Sequence, residues 1–224
     1  MSKTPHEEHG SAGKPREEQA LEQAEVPELL TLVRAYGRPA ALVLLLALAV
    51  AGGSAMVRQR RHAAAVDAAL RFGQAETIEE LQAVAEEFPE TPSGPLALLA
   101  HAARLLEEDR PEEAADRVDL FLRRYPDHAM RPGARMLRAA CDEAKEAWDR
   151  ARAAYEDVLD DASAAYLHAE ARLGLGRALE GAGRLREARD LYEDFLAAEP
   201  GSAWAPDFET ALRSVERRLR GEAG

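Results

Sequence analysis

The chain has 224 residues with a formal net charge of −12, and aromatic residues make up only 5% of it. The acidic excess argues against nucleic acid or an anionic lipid surface as the main partner, because like charges repel. A single cysteine, Cys141, excludes an internal disulfide and a cysteine metal cluster. Abundant Ala and Arg with few β-branched residues are typical of helices, not of sheets.

The N-terminal segment, residues 1–28, is predicted to be a disordered acidic tail. Its first twenty residues mix Pro, Gly, Glu and Lys without apolar periodicity, so they cannot bury enough apolar surface to fold. The HEEHG stretch at 6–10 places its two histidines three apart, whereas a helical zinc motif needs His at i and i+4. We therefore predict no metal site in this tail.

Residues 39–57 form a nineteen-residue run without a charged side chain, preceded by a juxtamembrane segment at 29–38. As a helix the run would span roughly 28 Å, close to the thickness of the hydrocarbon core of a bilayer. We predict a single transmembrane helix here. A signal peptide normally starts near the first residue, but the GSA triplet at 53–55 resembles a cleavage site. Cleavage and a buried soluble helix are therefore the alternatives.

Three alanines, Ala47, Ala51 and Ala55, form a ridge of small residues along the predicted membrane helix. Such ridges let two helices approach closely in lipid, although an alanine-rich span also produces this spacing by chance. We predict that the ridge contacts a partner helix in the membrane.

Beyond the membrane helix the sequence repeats every 37 residues. Residues 58–94 are predicted to form a helical rod and an atypical first repeat, because no helix breaker occurs before Gly73. Large apolar residues recur at the fifth and eighth positions of each repeated segment and share one helix face. A proline ends that helix in three of the four segments. The four segments begin at Thr77, Ala114, Ala151 and Ala188.

An apolar helical stretch precedes each of the last three segments, so each unit reads as a pair of antiparallel helices. The last unit, residues 171–200, resembles the tetratricopeptide repeat at most of its signature positions. These positions are the Leu-Gly pair (Leu175, Gly176), the turn (Gly183), the small residue (Ala188), the aromatic (Tyr192) and the closing proline (Pro200). The units at 95–128 and 132–165 match the pattern less completely.

The resemblance implies an α-solenoid, in which each helix pair buries its apolar face only by stacking on its neighbours. We therefore predict an all-α protein with a single N-terminal transmembrane helix. TPR-like repeats at 95–200 follow, in about three to four helix pairs counting the atypical first one. A capping helix and C-terminal tail occupy residues 201–224.

In this family the first helix of each pair lines the concave face, so the resemblance implies a partner-binding groove. An apolar end and a charged end would suit an extended peptide or an amphipathic helix. The alternative is that these side chains pack against a neighbouring helix. The groove residues are Leu99, Ala103, Leu106, Met136, Ala140, Glu143, Leu173, Arg177 and Glu180.

No pattern typical of catalysis stands out. The glycine-rich stretch at 174–183 would need a preceding strand to bind a nucleotide, and no strand is predicted. Four histidines fall in different units without shared spacing, and Cys141 has no evident base nearby. We predict no cofactor, no metal site and no enzymatic activity. The four histidines are His62, His101, His128 and His168.

The layout of residues 20–220 resembles the ancillary subunit family of the Sec translocon. That resemblance implies a single-pass protein of the bacterial inner membrane with its repeats in the periplasm. The local charges indicate the opposite side, because Arg58, Arg60 and Arg61 follow the predicted span while only Arg34 and Arg38 precede it closely.

The predicted function is a membrane-anchored scaffold that binds protein or peptide partners, such as a chaperone or the translocon, at the secretion channel or envelope-assembly machinery. One alternative is a self-assembling envelope or cell-division scaffold, in which the protein forms homo-oligomers. The other is a regulatory repeat module for an enzyme acting in trans. Nucleic acid is not among the expected partners.

Overall fold

The structure, a computed structural model, describes the backbone of residues 16–222. Over this range the chain is helical or forms turns, without a strand, which confirms the all-α prediction. The chain separates into two units, Met1–Arg60 and Arg61–Gly224.

The first helix, α1, spans Arg16–Gln74. Residues 1–15 of the predicted tail, including HEEHG, lie outside the described residues. The helix takes in residues 16–28, where Glu, Gln, Ala and Leu favour helix formation.

The apolar part of α1 is uncovered within the chain. Its large apolar side chains between Leu42 and Val57 are 50–68% exposed, which argues against a buried soluble helix. Ala41–Gln74 is, within the described residues, the one helical stretch long and apolar enough to cross a membrane by length and composition.

The second unit continues as a series of short helices, each contacting the next along the chain. The first helices of successive pairs, α3, α5 and α7, also contact one another in order. This stacking of the pairs α3–α4, α5–α6 and α7–α8 is the predicted solenoid. The elements are α2 (Ile78–Glu87), α3 (Ser93–Glu107), α4 (Pro111–Arg124), α5 (Arg131–Ala144), α6 (Trp148–Leu159), a 3₁₀ helix (Ala162–Leu167), α7 (His168–Gly181), α8 (Leu185–Ala198) and α9 (Ala205–Glu222).

Each of the turns inside the three pairs contains one residue with a left-handed backbone conformation, and these residues are 37 positions apart. Asp109, Glu146 and Gly183 have φ angles of 59°, 56° and 74°. The next N–H in each turn donates to the carbonyl five residues earlier, which closes a Schellman motif. These bonds join Arg110 N to Leu105 O (2.9 Å), Ala147 N to Asp142 O (2.8 Å) and Arg184 N to Leu179 O (2.8 Å).

Large aromatic side chains fill the space between the helices, as the repeat pattern predicts. Phe121, Tyr155 and Tyr192 are at most 1% exposed. Gly176 lies directly against the Tyr192 ring, so an added Cβ would overlap the ring atoms. The glycine of the Leu-Gly pair is therefore required by close packing.

The last helix, α9, closes the stack. Arg213 and Glu216 stand 37 residues after Gly176 and Leu179 of α7, which pack in the core. Charged side chains at these positions disfavour the packing of a further helix against them, as expected of a capping helix. The apolar stripe of this predicted capping helix packs on the core, with Phe208 and Val215 buried and Leu212 and Leu219 partly buried.

Candidate functional site

The nine predicted groove residues lie on the three adjacent helices α3, α5 and α7. Those of the apolar end contribute mainly to packing. Leu99 is buried in the core, and Leu106 and Met136 pack against core clusters with part of their surface exposed. Ala103 and Ala140 are partly buried.

The remaining four predicted residues line a single open cleft of about 530 Å³. They are joined there by a tryptophan, a glycine and one face of α9. We call this the α7–α9 cleft. Its residues are Glu143, Trp148, Leu173, Arg177, Glu180, Gly181, Asp207, Thr210, Ala211, Ser214 and Arg218.

A tyrosine, a glutamate and an arginine form a bonded triad on one side of the cleft. The Tyr155 hydroxyl donates to Glu143 Oε2 at 2.8 Å. Arg177 donates to the same carboxylate twice, from Nε at 2.7 Å and Nη2 at 3.1 Å. Burial and the adjacent Glu143 charge raise the pKa of Tyr155, so its phenol stays protonated and keeps donating.

A second triad repeats this arrangement one unit later. The Tyr192 hydroxyl donates to Glu180 Oε1 at 2.9 Å, and Arg218 Nη1 donates to Glu180 Oε2 at 3.1 Å. Arg218 Nη2 also reaches the Glu180 carbonyl at 3.2 Å. Burial and the Glu180 charge raise the pKa of Tyr192.

The triads position two guanidinium groups at the cleft surface. The side chains of Arg177 and Arg218 are 48% and 47% exposed, whereas those of Glu143 and Glu180 are only 19% and 15% exposed. Each arginine is therefore held by a mostly buried carboxylate while part of its surface faces solvent. Bidentate pairing restricts the guanidinium of Arg177 further.

Trp148 forms the aromatic wall of the cleft. Its indole packs on Gly181, where an added Cβ would overlap the ring. Together with Leu173, it gives the cleft an apolar surface beside the charged triads. The cleft can therefore contact both apolar and polar groups of one ligand.

The chemistry of the other reactive groups is that of structural residues. Burial raises the pKa of the Cys141 thiol to about 11, so the nucleophilic thiolate is scarce at neutral pH. His101 is buried, and His128 Nδ1 accepts the Met130 N–H at 3.1 Å. Throughout the described part of the chain, no three His, Cys, Asp or Glu side chains are grouped to hold a metal ion.

The predicted membrane-helix ridge lies on an open surface of α1. Ala47, Ala51 and Ala55 are exposed, and nothing lies within 4 Å of a Cβ added at Gly52 or Gly53. The ridge is accessible to a second helix, and its contact with one stays a prediction.

Several cleft residues escaped the sequence prediction. Thr210 and Ser214 stand 37 residues after Leu173 and Arg177, so extending the repeat register into α9 would have found them. Trp148 begins α6 at the repeat position that Pro111 and Leu185 occupy in α4 and α8, where both are buried. The repeat register therefore indicated packing at this position and did not point to the cleft.

Residues 170–202, which contain all but the first two residues of α7 and the whole of α8, match the tetratricopeptide repeat family. This confirms the repeat predicted at 171–200, and such repeats serve as protein-interaction scaffolds. No curated protein sequence is significantly similar to the chain.

Solved structures similar to the chain include the following two. One is the NMR structure of the first TPR domain of the human RPAP3 protein, with 19% identity and a TM-score of 0.46 over 58% of this chain and 94% of that chain. The other is the MamA RS-1 ArsTM double mutant, with 19% identity and a TM-score of 0.44 over 63% of this chain and 85% of that chain.

Proposed function

We propose that the protein is a membrane-anchored interaction scaffold and that the α7–α9 cleft holds a segment of a partner protein. The observation that carries the proposal is the pair of Tyr–Glu–Arg triads at the cleft. Side chains that are already fixed lose little conformational freedom when a ligand binds. Leu173 and Trp148 add apolar contact area beside them, which suits a peptide with both polar and apolar groups.

The charge distribution favours a cationic partner. Residues 1–60 contain seven basic and seven acidic side chains, so the whole net charge of −12 belongs to residues 61–224. A field of this sign attracts basic segments and repels nucleic acid. At the cleft itself, the two glutamates are paired with the more exposed arginines, and Asp207 adds a carboxylate. A bound segment would therefore meet guanidinium groups there within the acidic field of the repeats.

We place the protein in a bacterial inner membrane, with its repeats in the periplasm beside the secretion channel or envelope-assembly machinery. Chaperones or emerging chains are then its partners. The exposed apolar surface of α1 supports the anchor, and the sequence layout supports the setting. An alkaline phosphatase fusion at the C-terminus tests the side: an active fusion supports the periplasm, and an inactive one contradicts it.

The cleft is tested by co-purification of partners with the full-length protein after crosslinking in intact cells. We expect Trp148→Ala and Arg177→Ala to reduce recovery of a specific partner about tenfold, as residues at the centre of an interface do. Arg186→Ala, on the exposed surface of α8, is the matched control and should retain the partner.

The identity of the partner separates the candidate functions. A chaperone or channel component supports the proposal, whereas copies of the chain itself support the self-assembling scaffold. An enzyme whose activity changes on binding supports the regulatory module. Equal recovery by the cleft variants and the control would contradict binding in the cleft.

A further inference from the structure

The large apolar side chains that are exposed on the helices and connections after α1 all lie on one edge of the stack. Within the described residues they are Met130, Tyr166 and Trp204, which are 42%, 68% and 36% exposed. Each lies in a connection between the second helix of one pair and the first helix of the next. Because the pairs stack in the same sense, these connections lie along one edge, and the turns within the pairs lie along the other.

The apolar row follows the repeat. Met130, Leu167 and Trp204 are spaced by 37 residues, and Tyr166 precedes Leu167 directly. Isolated apolar side chains on a protein surface need no explanation. Here the three exposed side chains lie at or directly beside one repeat position, since Leu167 itself packs partly against the core. They are also confined to one edge, which indicates a contact surface.

We propose that this edge, defined by Met130, Tyr166 and Trp204, inserts into the headgroup region of the bilayer that holds α1. Tyr and Trp favour the membrane–water interface because each has an apolar body and a polar tip. The inference rests on the proposed membrane anchor. An anchored chain meets its own bilayer at high effective concentration, so a few weak insertions are enough.

The arrangement of the row fits a flat interface better than a protein surface. The three side chains sit on separate connections of stacked helix pairs, and helices pack at roughly 8–10 Å spacing. The core of a protein interface is instead one contiguous desolvated patch. Near Tyr166, Asp127 and Asp161 are balanced by Arg131 and by Arg135, which pairs with Asp161 at 3.2 Å. This edge therefore has no local excess of positive charge, and the favoured surface is zwitterionic rather than anionic.

The two tryptophans of the chain make the proposal directly testable. Trp204 lies on the proposed edge, and Trp148 follows the Glu146 turn on the opposite edge. The full-length protein is incorporated into phosphatidylcholine nanodiscs with brominated or ordinary acyl chains. In Trp148→Phe, which emits only from Trp204, we expect brominated lipid to reduce the fluorescence. In Trp204→Phe, which emits only from Trp148, we expect equal fluorescence in both lipids.

A second variant separates contact from folding. Met130→Ser combined with Tyr166→Ser should weaken the quenching of Trp204 while the circular dichroism spectrum stays unchanged. The proposal would be overturned if Trp204 were not quenched in nanodiscs, or if Trp148 were quenched instead. The first of these results would indicate that the edge binds a protein and not lipid. Co-elution of the protein with the nanodiscs reports the anchor separately, and recovery by the cleft variants reports the cleft.

Discussion

The first and third helix pairs solve the same packing problem with different chemistry. Both have a Schellman turn at the same repeat position. Where α7–α8 has Glu180 and Tyr192, α3–α4 has Leu106 and Val118, 74 residues earlier. In the first pair these two residues pack in separate apolar clusters, whereas in the third pair a buried hydroxyl is bonded to a carboxylate.

The difference determines where the cleft lies. In the middle pair, Tyr155 and Glu143 already carry the polar chemistry, and Arg177 reaches Glu143 from the following helix. Each triad turns an arginine toward the surface, which the apolar pair cannot do. The same helical frame thus gives a closely packed end and an end that carries the α7–α9 cleft.

The largest expected effect on stability comes from replacing Gly176, which contacts the Tyr192 ring in the third pair, by the alanine found at this position in the first pair. Gly176→Ala should lower the free energy of unfolding by about 3 kcal/mol, because the added methyl overlaps a ring that has no room to move. In a Tyr192→Val background, which reproduces the Ala102–Val118 combination of the first pair, the same change should stabilise the helix by about 1 kcal/mol.

This double-mutant cycle is measured by urea unfolding of the full-length protein in detergent. Gly201→Ala, where nothing lies within 4 Å of the added Cβ, is the control and should change stability by less than about 0.5 kcal/mol. Equal costs of Gly176→Ala in the two backgrounds would show that the Tyr192 ring is not the cause.

A smaller loss is expected from replacing the carboxylate of the second triad. Glu180→Leu, as in the first pair, leaves the buried Tyr192 hydroxyl without its acceptor and should cost about 2 kcal/mol. Adding Tyr192→Phe removes the stranded hydroxyl and should recover most of that loss. The same unfolding assay checks this, with the exposed Glu193→Gln as control. A double variant no more stable than Glu180→Leu would contradict the interpretation.

The left-handed turn residues should respond in opposite directions. Glu146→Gly should raise stability by about 1 kcal/mol, because glycine removes the steric cost of positive φ. Asp109→Gly should gain less, since Asp tolerates this conformation better than Glu. Gly183→Ala should lose stability. Thermal unfolding of the three variants tests this ranking. A lower stability of Glu146→Gly than of the unmodified protein would contradict the prediction.

The smallest expected effect is a pH dependence of stability that only the first pair contributes, through His101. Burial and the nearby Arg117 and Arg110 lower the pKa of His101, whereas α7 has Leu175 at this position. The unfolded chain then binds a proton more tightly than the folded chain, so stability present above the unfolded pKa of about 6.5 is lost as the pH falls below it. His101→Leu should flatten the unfolding free energy between pH 7 and 5, and an unchanged slope would exclude this role.

The repeat period explains why the fold was predictable. A 37-residue spacing of large apolar residues places helices, turns and core together, and Phe121, Tyr155 and Tyr192 are buried as it requires. The local exception is Ser163, which replaces a proline. There the Asp161 carboxylate accepts the Ser163 N–H at 3.0 Å and begins a 3₁₀ helix.

The site was only partly predictable because the sequence does not show whether an apolar residue of the repeat is buried by a neighbouring helix or exposed in the groove. Leu99 fits the pattern of a groove residue, yet burying its whole side chain in the core is more favourable than exposing it. The α9 helix was interpreted as a cap, and its Thr210 and Ser214 also face the cleft. Trp148 reaches the cleft through a tertiary contact with Gly181.

The central claim is that partners bind in the α7–α9 cleft. A photoreactive benzoylphenylalanine placed singly at 99, 136, 173 and 210 samples one repeat position along the whole row, with position 194 on the exposed side of α8 as reference. We predict that crosslinking of the full-length protein in cells is strongest from 173 and 210. Yields at these two positions no higher than at 194 would contradict the account.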